Sequence, residues 1–90
     1  MKKQFEQYLI DNNYKQFTPS GNPSTVYDYI KRIDKDCEWE QCSWPELAGK
    51  IDSAVKSYDA GGAKEELGHK SHNAVICALR VFKSFVHSNF

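Results

Sequence analysis

The fold this chain predicts is all-α, a compact bundle of four helices, and three observations carry that expectation. Apolar residues recur at i, i+4, i+7 and i+11 in Val26, Ile30, Ile33 and Cys37, and again in Val75, Leu79, Phe82 and Val86, so each set lines one face of a helix. Ser43-Trp44-Pro45-Glu46 fits a capping box, in which serine and glutamate each satisfy an exposed N–H at a helix start. No alternating run of β-branched residues competes with these signals for a sheet.

The first helix is expected over Lys3 to Asn12, with Phe5, Tyr8 and Leu9 inward, ending where Asp11-Asn12-Asn13 favours a turn. Tyr14 to Ser24 holds two prolines, a glycine and polar turn formers, so it reads as a loop with Tyr14 and Phe17 tucked against the core. The second helix starts near Pro23 or Ser24, where proline's missing donor is harmless, and runs to Glu40. The third follows the capping box, with Leu47, Ile51, Ala54, Val55 and Tyr58 inward, and stops at Gly61-Gly62. Ala63 to Leu67 adds one further turn. The fourth runs from Ser71, whose hydroxyl is placed to cap the first turn, to His87. The expected core is Leu9, Val26, Ile30, Ile33, Leu47, Ile51, Val55, Val75, Leu79, Phe82 and Val86.

Composition narrows the function. Ninety residues predict a single domain, residues 1–90, too small to build a deep catalytic pocket easily, which favours a binding protein over an enzyme. Apolar residues at 40 % and charged residues at 27 % are ordinary for a folded domain and too apolar for a disordered one. Twelve basic and twelve acidic residues cancel, which counts against a stand-alone high-affinity DNA binder. The balance is uneven, however: residues 25–60 are net acidic and residues 61–90 net basic, so a polyanion would prefer the C-terminal helix.

Met1-Lys2-Lys3 begins like a signal peptide, but Glu6 and Asp11 interrupt the apolar stretch that should follow, and no apolar run approaches the ~20 residues a membrane span needs. With three cysteines, an odd number, the chain reads as cytoplasmic with reduced thiols and without a membrane partner.

Cys37, Cys42, His69 and His72 form C-x4-C and H-x2-H, a set of soft ligands that zinc accepts. The spacing is loose, and Cys37 continues an apolar stripe where a buried thiol needs no metal, so no cofactor is expected. Cys77 near His69 or His72 is a nucleophile-and-base pair in outline, but no third group or set of oxyanion donors accompanies it. Asp34, Asp36, Glu38 and Glu40 alternate along the second helix and read as a solvated acidic face.

The order STVYDYIKRIDKDCEWE, SWPELAGKIDSAVKSYDAGG, KSHNAVICALRVFKSFV resembles the SAM-like core-binding domain of phage integrases and other tyrosine recombinases, over residues 25–86. The family's closing-helix pattern falls on Ala78, Leu79, Arg80 and Phe82. The resemblance implies a SAM-like helical domain that lies against duplex DNA, with Arg80 contacting phosphate and Leu79 and Phe82 in the core. The recombinase catalytic domain is absent, so recombination does not follow.

The leading expectation is a non-catalytic binding protein of a phage or mobile element, contacting duplex DNA weakly through Lys70, Arg80 and Lys83, helped by Lys31 and Arg32. The alternative is a protein-interaction module that regulates or inhibits a bacterial host enzyme or defence system, or self-associates. There the surplus aromatics, above all Trp39, Trp44 and Tyr27, would form the interface.

Overall fold

The computed structural model describes residues 1–90 and is all-helical, with six helices rather than four. They are α1 (Lys2–Asp11), α2 (Thr25–Glu40), α3 (Trp44–Gly49), α4 (Ile51–Tyr58), α5 (Glu65–Gly68) and α6 (Lys70–Asn89). The count rises chiefly because the expected third helix is broken. Gly49 is a weak helix former, and Lys50 leaves helical geometry at φ −124°, ψ 23° while its N–H bonds back only three residues, to the Leu47 carbonyl at 3.1 Å. The capping box at Ser43 is present: its Oγ accepts from the Glu46 N–H at 3.3 Å and the Glu46 carboxylate accepts from the Ser43 N–H at 3.1 Å. The further turn expected at Ala63–Leu67 appears as α5.

Ser71 is not a cap. Ser71, His72 and Asn73 are left-handed, with φ of 54°, 57° and 68°, and they interrupt α6 just after Lys70. Such geometry costs roughly 1–2 kcal/mol per residue with a Cβ, least for asparagine. The preceding Gly68 explains the abrupt route. A Cβ there would strike the Tyr58 carbonyl, so only glycine lets the chain pass this close to the end of α4 before α6 begins.

One cluster of sixteen buried residues forms the core. The amphipathic faces of α2 and α6 pack on each other, with α4 against α6 and α1 across α2. The radius of gyration, 12.7 Å, is that of a single packed unit of this length. At its centre Phe82 meets Phe5, Trp44 and Phe85 at ring-centroid distances of 5.2, 5.4 and 5.9 Å. Phe5, Ile76, Ala78 and Phe85 join the expected core, whereas Ile30 and Val86 are half-buried rim.

The loop between α1 and α2 closes on itself through an isolated antiparallel bridge of Phe17 with Pro23 and a turn at Thr18–Asn22. Tyr14 packs on Tyr29, as expected, but Phe17 remains 54 % exposed beside Tyr27. Asp36 corrects the reading of a solvated acidic face: it is fully buried, and neither carboxylate oxygen has a hydrogen-bond partner. Burial, reinforced by the Glu40 carboxylate and only partly opposed by Arg32, pushes its carboxyl up to about 8.

Cys37 lies in the core, and burial, followed by the neighbouring Cys42 thiol, pushes its own thiol up to about 12. Cys42 and Cys77 are half-buried. Because the thiolate is the reactive form, Cys37 is expected to be the last of the three to alkylate at pH 8. Peptide mass spectrometry after a timed iodoacetamide reaction checks this, and labelling of Cys37 first would show that the packing of α2 is wrong.

Candidate nucleic-acid interface

Three of the five cations expected to meet phosphate come together. Lys31 and Arg32, one turn or less from Lys35 on α2, face Lys70 at the start of α6 across a groove of about 420 Å³ whose walls include Trp39 and Val75. Adjacent turns of α2 supply the first three cations, and the left-handed turn after Lys70 sets the fourth opposite them. Asp28 is the one carboxylate lining the groove, and it pairs with Arg32 at 3.5 Å. Lys35 also meets Glu38 at 3.1 Å, in an exposed pair that solvent screens. Lys31 and Lys70 have no carboxylate within ion-pair distance. Burial pushes the Asp36 carboxyl, one helical turn from Arg32, up to about 8, so at neutral pH it adds little negative charge beside the groove.

Arg80 and Lys83 do not line this groove. Arg80 Nη2 donates to both oxygens of Asp59, at 2.8 and 2.7 Å, and this bond holds the Asp59 carboxyl below the usual carboxylate range. Lys83 lies 3.6 Å from Asp52, which also pairs with His87 at 2.8 Å. Both cations therefore tie α6 to α4 and its C-terminal end rather than standing free for a ligand.

The three aromatics expected at an interface fall in three settings. Trp44 is built into the core cluster, and its Nε1 donates to Asp34 at 2.8 Å; Asp34 also accepts from Lys2 at 3.0 Å, joining α1, α2 and α3. Tyr27 packs on Phe17 at 5.6 Å in the loop region. Trp39 alone reaches the basic groove, stacked on Tyr58 with centroids 6.1 Å apart and planes 20° apart.

Tyr58 is fixed from below. It is fully buried, and its hydroxyl donates to Glu40 at 2.8 Å. Glu40 also accepts from Lys50 at 3.1 Å and from Lys64. Burial alone would raise the Glu40 carboxyl, but the bonds from Lys64, Tyr58 and Lys50 outweigh it and hold the group down at about 2. Sequence spacing alone had placed Glu40 on a solvated face. Its i+4 relation to Asp36, continuing from Arg32, was the available sign that these groups share a ridge.

A larger concavity, about 530 Å³, opens between Lys50, Asp52, His87 and Phe90. Its Asp52–His87 pair has no free nucleophile beside it, because the Ser53 hydroxyl donates to the Lys50 carbonyl at 3.0 Å. No group of three or more histidine, cysteine or acidic side chains is arranged to hold a metal ion, and the C-x4-C and H-x2-H residues are not brought into one. No helix is long and apolar enough to cross a membrane. No protein-family model, curated protein or solved structure matches the chain.

Proposed function

We propose that this chain is a non-catalytic nucleic-acid-binding protein, of the kind carried by phages and mobile elements, that holds phosphate groups of DNA in the α2/α6 groove. The observation that carries this reading is the convergence of Lys31, Arg32, Lys35 and Lys70 on one concave surface against a single carboxylate, Asp28. Phosphate neutralisation by such a cluster supplies affinity without sequence specificity. The resemblance of residues 25–86 to the SAM-like core-binding domain of tyrosine recombinases points the same way. The zero net charge of the whole chain limits the affinity, so binding is weak and confined to low salt.

Fluorescence anisotropy with a short labelled duplex tests the proposal. The logarithm of affinity should fall with the logarithm of salt with a slope of about −3, as expected for three or four neutralised phosphates. The double variant Lys31→Ala, Lys70→Ala should flatten that slope by about 2. Arg80→Ala should leave the slope unchanged, because Arg80 is bonded to Asp59. Salt-insensitive binding, or a slope lost in Arg80→Ala and kept in the lysine variant, would overturn the proposal.

A further inference from the structure

We infer that the groove accepts an unstacked nucleotide, with its base lying on the Trp39 indole and its phosphate between Lys31 and Lys70. This rests on the phosphate-binding reading above and narrows its ligand from the sugar-phosphate backbone in general to a strand whose bases are free.

The first support is the wall. An anion site needs only cations, yet this one has a half-buried indole in its lining. Tyr58 lies near-parallel to that indole in an offset contact and is itself immobilised by full burial and its bond to Glu40. The indole, which lines the groove, is thus held against an immobilised neighbour. Every base has a π face, so an indole held there gives stacking that tolerates any sequence.

Charge supplies the second support. Of the ten lysines, Lys2, Lys35, Lys50, Lys64 and Lys83 are paired with carboxylates; Lys31 and Lys70 are among the five that are not, and they meet at this groove. Their charge is available to a phosphate without first breaking an internal pair. Arg32 adds a fixed charge in the wall, because its guanidinium pairs with Asp28 and its Nε is buried.

Size and access complete the argument. A groove of about 420 Å³ falls within the ~300–1,000 Å³ typical of sites for small organic ligands, the scale of one nucleotide unit. In a duplex the base faces are hidden by their neighbours, so the indole has nothing to stack on and only the lysines make contact. A single strand, or a free nucleotide, engages both.

The test compares three probes at low salt: an oligothymidylate of about ten nucleotides, a duplex of the same length, and thymidine monophosphate. The single strand should bind more tightly than the duplex and quench tryptophan fluorescence. Trp39→Ala should weaken single-strand binding by roughly 5- to 150-fold, the loss of one stacked base, and leave duplex binding unchanged. Trp39→Phe, which keeps a π face, should retain most of the affinity and lose the quenching, with an unchanged far-ultraviolet circular dichroism spectrum.

Monophosphate binding as tight as that of the oligonucleotide would assign the ligand as a free nucleotide; a large preference for the oligonucleotide would assign a strand. Equal affinities for strand and duplex, unaltered in Trp39→Ala, would overturn the stacking and leave the phosphate reading standing. Absence of binding to all three probes would overturn both.

Discussion

Replacing Phe82 with alanine is expected to destabilise the protein by about 3–5 kcal/mol, the usual loss for an emptied aromatic core site. Phe82 has no exposed surface and touches aromatic rings from α1, α3 and α6, so its removal opens a cavity where three helices meet. The edge-on arrangements with Phe5 and Trp44 add to the area term, since such pairs contribute about 0.5–1.5 kcal/mol beyond burial. A chain of this length has a total stability on the order of 5–13 kcal/mol, so the variant retains about three quarters of it at best. Its melting temperature should drop by at least ~12 °C. A circular dichroism melt against Lys15→Ala, a change at an exposed loop lysine, is the check. Melts of equal midpoint would show that Phe82 is not at the centre of the core.

Stability should fall as pH rises from about 4 to about 8, the reverse of ordinary carboxylate behaviour, and Asp36→Asn should abolish that fall. The buried Asp36 carboxyl keeps its proton to about pH 8 in the folded chain, whereas the unfolded chain releases it near the ordinary value of 3.8. Within that window the folded state holds one more proton than the unfolded state. Stability therefore declines by roughly 1.4 kcal/mol per pH unit from this group alone. Below pH 4 both states hold the proton and Asp36 no longer contributes.

Glu40 acts with the opposite sign. Its folded value of about 2 lies below the ordinary 4.5, so its contribution is complete above pH 4.5 and is lost as pH falls toward 2. The two slopes together place the stability maximum near pH 4. Urea denaturation at pH 5, 6.5 and 8 checks this. The midpoint should fall across the series in the wild type and stay level in Asp36→Asn. A wild-type midpoint that rises toward pH 8 would show that Asp36 is ionised and solvated in the folded protein.

Local pattern was enough to establish the helices themselves. The spacing of Val26, Ile33 and Cys37, and of Val75, Leu79 and Phe82, requires helical faces because only a 3.6-residue period brings those side chains together. Ser43 and Glu46 mark a helix start because capping is a contact between near neighbours in the chain. The burial of Leu9, Leu47, Ile51 and Val55 follows from the same logic.

Pattern could not decide the edges of a stripe. At about 100° per residue, Ile30 and Asp36 lie at equal angles on opposite sides of Ile33. The Asp36 side closes against Tyr58 and Glu40 and becomes fully buried, while the Ile30 side is left half covered. Phe85 is fully buried, although it was not among the positions that spacing selected, and Phe5, read as inward, lies at the centre of the core.

The groove was legible only in part. Lys31, Arg32 and Lys70 were recognisable as candidate phosphate contacts, and Trp39 as a surplus aromatic, but their meeting depends on how α2 and the start of α6 are docked. Arg80 and Lys83 look equally available in one dimension. Their partners, Asp59 and Asp52, stand 21 and 31 residues away, and a Coulomb interaction acts through a few ångströms of space whatever the chain distance between its ends. Periodicity records which residues share a face of one helix; which charges on different helices cancel, and which are left for a ligand, was decided by tertiary packing alone.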